Sequence, residues 1–199
     1  MPLRLSPASS TSRTHPLARR VLPLGVVALA AGSTVITGSG GPAMQSVAIC
    51  RSTSALADID GDLSDSLWRE ATMLGPFVSV ATHDLPSQSV YCRVIRTADE
   101  LLVALECWEA DMGSLTTDAS ERDDARAWAD DCIHLFIAPT DPRNCYYHIV
   151  VTAANVVFDE SVREAAQDRN PGWDCQVRSE TALLGNRWTC ELAIPFADI

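Results

Sequence analysis

The sequence predicts an all-β protein, an antiparallel β-sandwich of jelly-roll type with only minor helix. Short apolar runs recur from about residue 46 to residue 199, and clusters of turn residues separate them. Several of these runs alternate, so that every second side chain shares a face. The chain has 199 residues and 47% hydrophobic composition, enough for one domain with a sizeable core.

The elements follow in order. "SVYCRVIR" (89–96) puts Val90, Cys92 and Val94 on one face and Tyr91, Arg93 and Ile95 on the other. "TADE" (97–100) turns the chain, and "LLVALECW" (101–108) returns as the second strand of a hairpin. An acidic segment, 109–127, reads as loop or short helix. "CIHLFI" (132–137), the turn "APTDPRN" and "CYYHIVVTA" (145–153) form a central hairpin. "NVVFDESV" (155–162) is a further strand, with Asn155 suited to a left-handed turn. After a polar connection containing "DRNPGWD", "CQVRSETALL", the turn "GN" and "RWTCELAIPF" (187–196) make the last hairpin.

The N-terminus reads as an export signal. Arg19 and Arg20 precede the apolar "VLPLGVVALAAG", and small residues follow. Residues 1–45 are therefore expected to be a signal peptide and leader, and 46–199 the exported domain. Pro23, Gly25 and Gly32 break the apolar run, which disfavours a membrane span and predicts none after cleavage. Every basic residue is Arg, no acid precedes Asp58, and the net charge is −11. Removing the four leader arginines makes the remainder roughly −15. Such a surface repels phosphate backbones and anionic lipid, so nucleic acid is not expected as a partner.

Seven cysteines are present, an odd number that leaves one unpaired even in an oxidising compartment. Nearly all lie inside apolar runs and are expected to be buried thiols. Cys92 and Cys107, on neighbouring strands, are the first choice if a bridge forms. No C-x-x-C pair supports zinc ribbons or redox motifs.

The central hairpin carries the candidate site. If Ile137 faces Cys145, His134 lies directly opposite His148. One face then holds Ile133, Leu135, Ile137, Tyr147, Ile149, Val151 and Ala153 and is the core. The other holds Cys132, His134, Phe136, Tyr146, His148, Val150 and Thr152, a mixed and partly exposed face suited to a groove.

Several separated stretches resemble the family 9 carbohydrate-binding modules. They are "IDGDLSDSLWREA" (59–71), "TADELLVALECWEAD", "WADDCIHLFIAP", "YYHIVVTAANVVFDE" and "RWTCELAIPFADI". The resemblance implies non-catalytic binding of an oligosaccharide or polysaccharide by a module linked to polysaccharide degradation. It also implies that the family pattern continues past Ile199, so the domain is expected to be incomplete at its C-terminus.

Trp128 matches a position where the family stacks an aromatic on a sugar ring. A Trp closing one end of the sandwich is the alternative. Tyr146, Thr152 and the two histidines are expected to line the groove or hydrogen-bond within it, and Trp108 to offer a second platform. Trp68 and Trp188 belong to framework stretches and are expected in the core. His134 stands at a Glu-type position of the family, and Val150 where a longer polar group would serve.

A metal or haem held by His134 and His148 is a rival reading, as are a satisfied histidine pair without ligand and a structural or assembly domain. Asp130 and Asp131 start a strand with side chains on opposite faces, which is wrong for a two-carboxylate glycosidase pair. One is expected to accept from a turn and the other to be a possible cation ligand. "DIDGDLSD" (58–65) has Gly61 fourth and Arg69 twelfth, so it is a tight turn rather than an EF-hand. No cofactor is required, although the many acids leave room for a structural calcium. No nucleophile elbow, P-loop or dinucleotide fingerprint occurs.

Overall fold

Alternating sequence becomes two packed sheets in a computed structural model, which describes residues 48–78, 85, 88–139, 145–164 and 167–199. The larger sheet contains β1 (Arg51–Ser52), β2 (Thr72–Leu74), β3 (Val90–Arg96), β4 (Glu100–Trp108), β9 (Arg178–Leu183) and β10 (Arg187–Pro195). Its order is β1-β3-β4-β10-β9, with β2 also paired to β3. The smaller sheet runs β5-β6-β7-β8, from β5 (Cys132–Ile137) through β6 (Tyr146–Thr152) and β7 (Val157–Arg163) to β8 (Asp168–Asn170). Pairing is antiparallel except where β1 runs parallel to β3. Among the described residues the one α-helix, α1, spans Leu67–Glu70. Among the described residues no helix is long and apolar enough to cross a membrane. The proposed leader, residues 1–45, lies outside the described residues.

The core is built as the alternation predicts. Val90, Cys92 and Val94 meet Leu101, Val103 and Leu105 and the β10 residues Trp188, Cys190, Leu192 and Ile194. From the other sheet come Ile133, Leu135, Ile137, Ile149 and Val151. Each such side chain contributes about 1.5–3 kcal/mol by leaving water. All seven cysteines are free thiols, six of them buried. Buried thiols are what the sequence predicts, and Cys92 and Cys107, the first choice had a bridge formed, are not directly opposed: the register sets Cys92 against Leu105 and Cys107 against Val90. Burial pushes the Cys92 thiol up to about 12, so it behaves as a small apolar group.

The outer face of the larger sheet is covered by the segment leading into α1. Leu67 and Trp68 pack on Ile95, Leu102, Ala104 and Ala193. Glu191, fully buried in β10, accepts from Trp68 Nε1 at 2.6 Å, Gly61 N at 2.8 Å and Asp60 N at 3.0 Å. This carboxylate thus organises the "DIDGDLSD" stretch, which is a tight turn as expected. Gly61 has φ of 83°, and a Cβ there would come 2.9 Å from the Thr181 carbonyl carbon. Trp68 and Trp188 are both buried, as their framework positions predict.

Candidate functional site

The outer face of the smaller sheet carries the histidines, and a loop closes over it. Asp130 and Asp131 pin that loop. Asp130 is fully buried and accepts from the backbone N–H groups of Asp118 and Ala119, each at 2.9 Å. Asp131 accepts from Thr116 N at 2.8 Å. Both acids are therefore backbone acceptors, and neither belongs to a convergent group of metal-ligating side chains among the described residues.

Just before these acids the chain makes a 3-10 turn, Ala125–Trp128, whose N-cap Asp124 accepts from Arg126 N. The exposed Arg126 guanidinium holds the Asp124 carboxyl down at about 2. The turn buries Ala127 against Cys132, Val150, Val156 and Phe158 and sets Trp128 beside it. Trp128 is 38% exposed. Its ring meets His148 edge-on at 4.8 Å, His134 at 5.5 Å and Phe158 at 5.6 Å between centroids.

The central hairpin pairs two residues away from the expected register. His134 lies opposite Val150, and Phe136 opposite His148. A shift of two preserves side-chain parity, so each face keeps its predicted members. The two imidazoles still meet on the diagonal, with His134 Nδ1 2.9 Å from His148 Nε2. They are not on an open groove, because His134 is 7% exposed and His148 1%. His148 Nδ1 lies 2.9 Å from Glu160 Oε1, and Cys132 Sγ lies 3.4 Å from His134 Nε2.

These contacts, with burial keeping both imidazoles neutral, set the proton positions. Glu160 also takes Arg169, through Nε to Oε2 at 2.9 Å and Nη2 to Oε1, so it is a carboxylate and only accepts. His148 therefore carries its proton on Nδ1 and presents Nε2 as acceptor. His134 Nδ1–H donates to it, leaving His134 Nε2 to accept from the Cys132 thiol. The result is a head-to-tail chain of neutral groups ending on an ion pair. Burial pushes the His134 imidazole down to about 4, with His148 adding to the shift. Burial also lowers His148, against the opposing effect of Glu160. All four imidazole nitrogens are engaged, so binding a metal or haem through this pair would require breaking the chain.

The remaining predicted residues separate. Tyr146 is half-buried and meets Phe136 edge-on at 5.6 Å, and Phe136 stacks on His148 at 4.2 Å. Trp128, His148, Phe136 and Tyr146 thus form one aromatic row. Thr152 is fully buried. Its hydroxyl accepts from Val156 N at 3.0 Å inside the turn after β6, so it does not line a groove. Trp108 has the predicted outward parity, but it stands on the other sheet's outer face. It is 36% exposed there, with the Arg187 guanidinium 5.1 Å from its ring. It cannot share a ligand face with Trp128. Trp173 packs on Tyr147 at 4.6 Å beside the core.

Two residues of the site were not foreseen, Glu160 and Arg169. The Arg169 guanidinium carbon stands 5.2 Å from the Trp128 ring, so a cation already lies over the indole. A cleft of about 620 Å3 opens elsewhere, between the loop at Arg122, the turn at Asn155 and the strand at Ser179. No aromatic ring lines it. Nearby, carboxylate oxygens of Asp123, Asp159 and Asp174 lie within 4.8 Å of one another. Arg122 sits among them, 3.5 Å from Asp174 and hydrogen-bonded to Asp159, and Asp159 Oδ1 is buried without a partner.

No protein-family model matches the chain, and no curated protein matches it. Solved structures do. A candidate carbohydrate-binding protein from Bacteroides uniformis aligns with a TM-score of 0.60 at 20% identity, over 75% of this chain and 72% of that one. A family 9 carbohydrate-binding module from Caldicellulosiruptor kristjanssonii, in complex with cellotriose, gives 0.53 at 18%, covering 74% and 66%. The same organism's module with glucose gives 0.53 at 16%, covering 74% and 68%. The chain shares the β-sandwich fold of the family 9 carbohydrate-binding modules.

Proposed function

We propose that this chain is an exported, non-catalytic carbohydrate-binding sandwich serving polysaccharide degradation. It would take an oligosaccharide or polysaccharide against the outer face of the smaller sheet. The observation that carries this reading is the Trp128 indole, held at the surface at one end of an aromatic row. An indole face meets the C–H face of a pyranose without needing a charged partner. The fold shared with modules solved in complex with cellotriose and glucose supports it. Tyr146, itself in that row, and the exposed part of Arg169 would supply polar contacts, whereas the buried histidines would support the platform without touching the sugar.

No cofactor is needed for this function. A structural calcium is a separate proposal. The oxygen-only donors of Asp123, Asp159 and Asp174, with one buried oxygen unpartnered, suit a hard cation even with Arg122 beside them.

The test is a tryptophan-fluorescence titration of the mature chain with xylo- and cello-oligosaccharides, beside Trp128→Ala. A saturable change that weakens at least about tenfold in the variant supports the reading. A flat response from a protein with folded near-ultraviolet circular dichroism overturns it.

A further inference from the structure

Glu160 is a charged side chain only 2% exposed, on a face the sequence reads as a groove. Its carboxylate reaches the indole by two routes, with Oε1 taking both His148 Nδ1 and Arg169 Nη2 and Oε2 taking Arg169 Nε. On one side His148, paired opposite Glu160 across β6 and β7, meets the Trp128 ring edge-on at 4.8 Å. On the other, Arg169 from β8 lies over that ring at 5.2 Å. The geometry points to Glu160 as the positioning residue of the Trp128 platform, acting through His148 and Arg169 together. The inference rests on the reading of Trp128 as the ligand platform.

The chemistry explains why a carboxylate is required. Only a group that accepts at both oxygens can take the two Arg169 N–H bonds and the His148 Nδ1–H at once. Those bonds fix the His148 ring plane and place the guanidinium over the indole. The buried carboxylate also directs the whole chain, because the His148 tautomer decides that of His134 and hence the Cys132 contact. A Gln amide whose oxygen takes the Oε1 place can still accept from His148 Nδ1 and Arg169 Nη2. Its NH2 then meets Arg169 Nε–H donor to donor, so the two-pronged hold on the guanidinium and its ionic partner are lost. The groups bonded to this carboxylate are His148 from β6 and Arg169 from β8, while His134 from β5 bonds His148 and Trp128 from the loop meets both His148 and Arg169.

The test isolates the Trp128 emission by subtracting a Trp128→Phe partner from each protein. Acrylamide quenching and emission maximum are compared for the wild-type pair and the Glu160→Gln pair, without any sugar. A red shift and a higher quenching constant confined to the Trp128 component are expected, with the other four indoles unchanged. An unchanged Trp128 component overturns the inference. So does a change shared by the buried Trp68 and Trp188, because that reports general loosening. Should Glu160→Gln fail to fold, Arg169→Met decides, since that side chain is 45% exposed. It should move the Trp128 component in the same direction, and no movement overturns the inference. Absence of oligosaccharide binding in the wild type would remove the platform reading alone, because these spectra are read in buffer.

Discussion

Acid should weaken this fold through His134, by an amount that can be worked out. An unfolded histidine takes up its proton near 6.5, whereas burial holds folded His134 neutral down to about 4. Between those values the unfolded chain binds more protons, so stability rises with pH across the window and falls on acidification. The contribution is fully present above the unfolded value and is lost as pH drops. At about pH 5 the two affinities give a loss of about 2 kcal/mol relative to neutral pH. His148 shifts in the same direction and adds to it. Asp159 works the other way, since burial raises its carboxyl to about 6 and its folded form holds the proton more tightly.

The clean measurement is therefore a comparison with His134→Gln, which cannot titrate and still offers an N–H to His148. Urea unfolding followed by far-ultraviolet circular dichroism, at about pH 7 and about pH 5, gives the change in each protein. Asp159 is common to both and cancels. The wild type should lose about 2 kcal/mol more than the variant. Equal losses would refute the neutral, head-to-tail chain, because His134 would then be charged or solvated in the folded state.

Other consequences follow from single positions. Glu191→Ala strands Trp68 Nε1 and the N–H groups of Asp60 and Gly61, and should cost about 3–5 kcal/mol in chemical denaturation. Gly61→Ala combines a positive φ with a 2.9 Å approach to β9 backbone, so its melting temperature should fall by an amount corresponding to about 2 kcal/mol or more. Asp130→Ala frees two backbone donors of the loop under Trp128. Faster amide exchange at Asp118 and Ala119, with the core protected, is the expected signature. Calcium should raise the melting temperature of the wild type, and not of a variant in which Asp123 and Asp174 are both Asn.

The strands were legible because each has one face in the core. Alternation in 132–137 named the inward residues Ile133, Leu135 and Ile137 correctly. Alternation in 89–96 grouped Val90, Cys92 and Val94 on the one face that enters the core between the sheets, and parity survives a two-residue error in register. That error came from the turn. Pairing Ile137 with Cys145 assumed that β6 begins at Cys145, whereas it begins at Tyr146 and Ile137 pairs with Tyr147. Trp108 shows the limit of the same logic. Parity says that a side chain points outward but not from which sheet, and a sandwich has two outward faces.

Burial on the outer face of the smaller sheet had no period to betray it. His134, His148 and Thr152 looked half-exposed because the strands alone leave them so, and a loop without repeating pattern covers them. What folds that loop is two carboxylates accepting backbone N–H groups, a pattern a sequence shows only as adjacent acids. In the "WADD" motif both acids are occupied as backbone acceptors. It is the fastening that brings Trp128 down onto the histidines. Once that cover is in place, a buried polar row has to be satisfied internally. Glu160 and Arg169 meet that demand. Both came from stretches read as an ordinary strand and a polar connection, because their role exists only after the loop has removed water from the face.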